Sequence, residues 1–215
     1  MATIEEMYAN VTFADVYESW QTFARRTMIL SAYERDYSEE EFEKAVWDTH
    51  AMLRKLAAHI IETAGVRDEL VQPKEILIAM DQREFIDSKK LDLRFEVCAD
   101  GHVTWVESRI IHPQHLRRMD DEFFELLIGL RQFGAWKFDS LDGPDKNIKS
   151  SVYQLVVDAQ AEDLSDFGAF VVTWPHEATA DELLRLAPRA FGLLHQLQYR
   201  LYRAEYQLRA GRKRK

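Results

Sequence analysis

Leu91-Asp-Leu-Arg-Phe-Glu-Val-Cys-Ala-Asp100-Gly-His-Val-Thr-Trp-Val-Glu-Ser-Arg-Ile-Ile111 decides the fold. Apolar and polar residues alternate on both sides of Asp100-Gly101, and an Asp-Gly pair between two alternating runs signals a β-hairpin. Read as a type I′ turn, Asp100-Gly101 pairs Cys98 with Val103, Val97 with Thr104 and Phe95 with Val106. It also pairs Arg94 with Glu107 and Asp92 with Arg109. Leu91, Leu93, Phe95, Val97, Val106 and Ile110 then share one buried face. The other face carries two opposite-charge pairs and sets Trp105 opposite Glu96. An aromatic on an otherwise charged sheet face is either covered by a helix or available to a partner. Trp105, Arg94 and Glu107 are therefore the candidate partner-binding residues.

Working upstream, Ser38-Glu-Glu-Glu41 reads as a capping box opening a helix whose buried stripe is Phe42, Val46, Leu53, Leu56 and Ile60. Gly65 ends it, and Pro73 separates it from an expected strand at Glu75–Met80. Residues 1–37 predict a helical extension, with a short helix and then a longer one starting near Thr12 or Asp15. Val16, Trp20, Phe23, Thr27 and Leu30 form one face of the longer helix. Downstream, Pro113 suits the first turn of a helix running to about Trp136. A polar loop over Asp139–Ser150 and strands at Val152–Asp158 and Phe167–Trp174 follow. The last helix begins near Thr179, with Pro188 either starting its main part or kinking it. Leu183, Ala187, Ala190, Leu194, Leu197, Leu201, Ala204 and Leu208 form an unbroken heptad seam on it. Leu194, Leu197, Leu201 and Leu208 could make a dimer interface, or the helix could simply pack on its own domain. The expected fold is α+β: an antiparallel sheet of about five strands packed with long helices. It divides into an N-terminal extension (1–37) and an α+β domain (38–215).

At 215 residues, 47% hydrophobic and 30% charged, the chain is globular rather than disordered. Its one cysteine, Cys98, excludes a disulfide framework and a cysteine-rich zinc site. No apolar run approaches the roughly 20 residues needed to cross a bilayer. The acidic N-terminus lacks a signal-peptide pattern, so a cytoplasmic protein without membrane contact is expected. Charge is uneven. Residues 185–215 hold nine Lys and Arg against one acid, which leaves a net −17 on residues 1–184. An acidic body is a poor nucleic-acid surface. A nucleic-acid contact is open only to the tail, through Arg209, Arg212, Lys213, Arg214 and Lys215.

Signatures of chemistry are sparse. Cys98 and His102 flank the turn, but the register sends them to opposite faces, so they form no dyad. His112, His115, Asp120 and Asp121 supply metal-ligand types without a second cluster, and Asp139–Asp145 has calcium-loop composition without its ligand spacing. No metal and no cofactor is expected. Arg54 and His59 match the Arg-x4-His spacing of the helical HEPN ribonucleases, which makes them the alternative catalytic pair. Glu122 and Glu125, with Glu40, Glu43 and Asp48, loosely resemble the paired acids of nucleotide pyrophosphohydrolases and offer a metal-dependent hydrolase. Glycine-rich phosphate loops and the nucleophile elbow are absent.

From Ser38 onward the expected α-β-β-β-α-β-β-α order, together with the acidity, resembles the fold of type III secretion chaperones and YbjN-like proteins. That resemblance implies a non-enzymatic, homodimeric chaperone or adaptor that holds an extended protein segment. The helical extension, the length and the basic tail depart from the family's pattern.

Overall fold

The computed structural model describes residues 4–33, 37–74, 82–138, 141–142, 148–159 and 168–212. After the single turn α1 (Ile4–Met7), Thr12 and Asp15 form a reciprocal capping box that starts α2 (Phe13–Ser19). A π-helical turn at Trp20–Ala24 leads into α3 (Arg25–Ala32) and points Trp20 and Ala24 fully inward. Ser38 and Glu41 repeat the capping box at α4 (Glu39–Thr63). Gly65 follows at φ 66°, a left-handed conformation that glycine adopts without steric cost.

The strands are β1 (Leu70–Val71), β2 (Arg83–Ser88), β3 (Leu93–Ala99), β4 (Val103–Arg109), β5 (Ala135–Phe138), β6 (Leu141–Asp142) and β7 (Ala169–Pro175). They pair antiparallel in the order β1-β2-β3-β4-β7-β5-β6. The sheet thus has seven strands rather than the expected five or so, with β1 and β6 only two residues long. Helices α5 (Asp121–Gly129), α6 (Ile148–Ala159) and α7 (Ala180–Arg212) complete an α+β fold. The helix α4 packs on β2 and β3, and α7 packs on β4 and β7. Beneath them Phe95, Val97, Val106, Phe170 and Val172 are fully buried. Val16, Tyr17 and Trp20 join this same core, because α2 packs on both α4 and α7.

The hairpin forms, but two residues out of the expected register. Ala99 faces Thr104, Cys98 faces Trp105, Val97 faces Val106 and Glu96 faces Glu107. The two-residue turn is Gly101-His102, and neither residue has the positive φ of a type I′ turn. Instead the Asp100 carboxylate accepts from the backbone N–H of His102 (2.6 Å) and of Val103 (2.7 Å). A Cβ on Gly101 would overlap Ile29, and Arg25 donates to the Gly101 carbonyl at 3.2 Å. Side-chain capping and the docking of α3 thus override the local turn preference. A slip of two preserves which side chains share a face. The expected pairs Arg94–Glu107 and Asp92–Arg109 do not form.

Other boundaries differ as well. Val152–Asp158 is helical, inside α6, because Ile148, Val152 and Val156 recur every four residues and pack against the 3₁₀ turn Pro113–Arg118. The expected helix from Pro113 to Trp136 is broken. Asp120 caps a new helix by accepting from Phe123 N–H at 3.0 Å, and residues 135–138 become strand. Gly134 permits that strand: a Cβ there would lie 2.8 Å from the Thr173 carbonyl of β7. Leu141–Asp142, expected in a loop, pairs with β5. The expected strand Glu75–Met80 lies outside the described residues, whereas β2 was not foreseen.

Candidate functional site

Strand alternation gives the sheet two unlike faces. Opposite the helix-covered face stand Arg83, Phe85 and Asp87 of β2, Arg94, Glu96 and Cys98 of β3, and Val103, Trp105, Glu107 and Arg109 of β4. Most of these side chains are exposed or half-buried. Trp105, Arg94 and Glu107 do share this face, as the sequence implies, but with other partners. Arg94 binds Asp87 with two hydrogen bonds (2.7 and 3.2 Å) and lies 4.6 Å over the Phe85 ring. Glu96 is nearly buried and binds Arg83 at 2.6 Å. Glu107, directly across from Glu96, accepts one hydrogen bond from Trp105 Nε1 at 2.8 Å and has no ion pair among the described residues. Burial, together with the Glu96 charge, holds the Glu107 carboxyl above the usual carboxylate range, although the Trp105 bond opposes this.

A groove of about 870 Å³ adjoins this face at the β3–β4 turn. Trp105 and Cys98 form its sheet wall, while Met28, Ile29 and Phe42 line the helical side. Tyr33 and Tyr37, also lining it, are 68% and 42% exposed. Gln82 contributes a buried Oε1 that has no hydrogen-bond partner among the described residues. The groove therefore combines apolar surface, aromatic edges and an unspent acceptor. Nothing in the turn chemistry pointed to it, because it exists only where α3 docks against the hairpin.

The alternative catalytic residues are not brought together. Arg54 reaches Glu84 of β2 (3.2 Å) and the Pro73 carbonyl (3.3 Å) in a buried cluster where His50 lies 3.7 Å from Glu84. His59 points to α7, with Nε2 2.9 Å from the Leu184 carbonyl. Glu122 binds Arg200 at 2.5 Å, and Glu125 is exposed one turn along α5. Among the metal candidates, His115 binds Glu205 (2.7 Å), Asp120 binds Arg200 (2.8 Å) and Asp121 binds Lys149 (2.7 Å). Among the described residues no three His, Cys, Asp or Glu side chains converge as a metal site needs, and no helix is long and apolar enough to cross a membrane.

The leucine seam faces inward rather than toward a second copy. Leu194, Leu197 and Leu201 have no exposed surface, because they fill the core between α7 and the sheet; only Leu208 is half-buried. They cannot also face a second copy. Arg209 and Arg212 continue α7, while Lys213, Arg214 and Lys215 lie outside the described residues.

Two buried polar networks escaped the sequence reading. Gln198 accepts from Ile111 N–H and donates to Ser108 Oγ and the Arg109 carbonyl, at 2.7 to 3.1 Å. Asp68 accepts from Ser88 Oγ, from His195 Nε2 at 2.7 Å and from Lys90 N–H at 3.1 Å. Gln198 adjoins the buried Leu197, a position where an amide survives only if fully bonded, and that is the signal that was available. Compared with known proteins, the chain finds no match among family models, curated proteins or solved structures.

Proposed function

We propose that the chain is a non-enzymatic, cytoplasmic protein-binding module, a chaperone or adaptor that holds an extended segment of a partner across the half-exposed sheet face. The single observation carrying this reading is the junction of Trp105 and Glu107 with the tyrosine-rimmed groove. It offers an apolar recess beside a carboxylate that has no direct ion pair among the described residues, although the Arg83 and Arg109 charges act on it from a distance. An apolar side chain in the groove and a Lys or Arg on Glu107 would complement both features, and the acidic body would steer such a segment inward. The resemblance to type III secretion chaperones and YbjN-like proteins implies the same class of function, but the α-β-β-β-α-β-β-α order behind it is not kept, since Val152–Asp158 is helical. A homodimer, implied by that resemblance, would have to use a surface other than the buried leucines.

A photo-crosslinking residue at Tyr33 tests the reading, with one at Tyr206 as the remote control. The crosslinked segment is then made as a peptide and titrated calorimetrically. The reading requires a segment crosslinked from Tyr33 alone, whose peptide loses about tenfold in affinity with Trp105→Ala, a contact worth ~1.4 kcal/mol. Equal affinity for Trp105→Ala and Glu107→Gln would reject the face as the binding site.

A further inference from the structure

The 3₁₀ turn Pro113–Arg118 leaves the end of β4 remote from the groove, a strand length of about 20 Å away. It packs against the C-terminal part of α7, where the His115–Glu205 pair fastens the two together. Between them runs a second groove, of about 480 Å³, whose lining includes Arg118, Met119, Asp120, Arg200, Arg203 and Leu208. The acids of this end are already committed. Asp120 and Glu122 bind Arg200, Asp121 binds Lys149, and Glu205 binds His115. Arg118 and Arg203 are both exposed, and neither has an ion pair or hydrogen bond among the described residues. Among the described residues nothing pairs with their charge, and Met119 and Leu208 add apolar surface to the same groove.

Aromatics alternate with this charge. Arg203 and Tyr206 stand three positions apart on α7 and share its exposed stripe, whereas Tyr199, four positions before Arg203, is half-buried with the Lys90 ammonium 4.5 Å over its ring. Tyr206 is 65% exposed, and Tyr199 stacks on Tyr202 with ring centroids 6.5 Å apart. The same helix runs on into Arg209 and Arg212, and the sequence adds Lys213, Arg214 and Lys215. Of the nine Lys and Arg residues at 117–118 and 200–215, seven are arginine, whose planar fork matches phosphate oxygens.

We propose that this groove and the outer stripe of α7 bind a single-stranded nucleic acid. Phosphates sit on Arg118 and Arg203, and a base stacks on Tyr206. Residues 1–184 carry a net −17, so a polyanion is repelled from most of the surface and admitted at this end. The aromatic stripe selects the strand type: a single strand presents free base faces to tyrosine, and a duplex keeps them stacked inside. An acidic protein would satisfy the arginines but leave the tyrosines unused.

Fluorescence anisotropy of the full chain with a labelled oligouridine of about 20 nucleotides, at salt from about 50 to 200 mM, tests this. Binding should weaken linearly on a log–log salt plot. Replacing both Arg118 and Arg203 by Ala should flatten the slope by about 1.4, the share of two phosphates at ~0.7 each. The pair of Arg→Lys changes, which keeps both charges, should restore the slope. Tyr206→Ala should weaken binding about tenfold at every salt with the slope unchanged. All of these side chains are exposed, and thermal melting confirms that each variant is folded. The proposal is overturned by an absence of binding at the lowest salt, or by an unchanged slope in the double Ala variant. Equal affinity for a duplex of the same length, or full competition by polyglutamate at equal charge, overturns it as well.

Discussion

His59 of α4 donates its Nε2–H to the Leu184 carbonyl of α7 at 2.9 Å, filling an acceptor that the helix itself leaves empty. Position 188, four residues on, is proline, which has no N–H to give and lies inside the helix. The histidine therefore repairs the hydrogen-bond ladder at a proline and ties the two main helices together. Arg54, five residues earlier, is turned instead toward β2 and Glu84.

This relationship sets a double-mutant test. His59→Leu should cost about 1–2 kcal/mol, the penalty for stranding a buried carbonyl. In a Pro188→Ala background the new N–H at 188 reaches Leu184, so the same change should cost about 1 kcal/mol less. Urea denaturation of the four proteins measures the coupling. Additive effects would mean that His59 matters for another reason.

Glu96 and Glu107 oppose one another on β3 and β4, and only Glu96 has a guanidinium bound to it. Like charges directly across a ladder destabilise it. The Glu107 carboxyl titrates above its unfolded value, so the folded state holds that proton more tightly. Its contribution is present at low pH and is lost as pH rises through the raised folded value. Glu107→Gln should thus stabilise the protein by about 0.5 kcal/mol at pH 7, the scale of one cross-strand pair. That gain should vanish near pH 4. Denaturation at both pH values decides, and a destabilised Gln variant at pH 7 would show that the Trp105 bond outweighs the repulsion.

Leu194 discriminates core from interface. With no exposed surface it should behave as an interior residue, and Leu194→Ala should cost about 3 kcal/mol. The mass in solution should not change. Light scattering beside thermal melting checks both, and a lower mass with unaltered stability would return the leucine seam to an interface role.

The sequence carried the parts of the fold that are local. Ser38 and Glu41, Thr12 and Asp15, and Gly65 each stop or start a helix through contacts within three or four residues, and each is found where its pattern places it. What requires distant partners is not legible locally. The Asp100-Gly101 turn slips because α3 lands on Gly101, and Val152–Asp158 coils because its valines meet the turn at Pro113–Arg118 rather than a neighbouring strand. β-Branched residues report only that a segment is buried, and spacing of four against two must then choose between helix and strand. The sheet face holding Trp105, Arg94 and Glu107 survived because a slip of two residues keeps side-chain parity. Its groove did not, since α3, α4 and the hairpin build it jointly. Gln198 was hidden for the same reason: its three bonds go to β4 and the residues after it, about ninety positions away.

Asp68 links three elements, and its acidity predicts how they separate. Burial works against its charge, but bonds from Ser88, His195 and the Lys90 N–H outweigh burial and lower its pKa. The folded state therefore holds the proton less tightly than the unfolded chain does. The resulting stability is present above the unfolded carboxylate value of about 4 and is lost as pH falls through the lower folded value. Asp68→Asn retains the shape but weakens the bonds, at a cost of about 2 kcal/mol at pH 7, as for hydrogen bonds to a charged group. Below about pH 4 the wild type should converge on the variant, since protonation removes the same charge. Urea melts from pH 7 down to about 3 follow the difference. A gap that stays constant across this range would place the stabilising charge on some group other than Asp68.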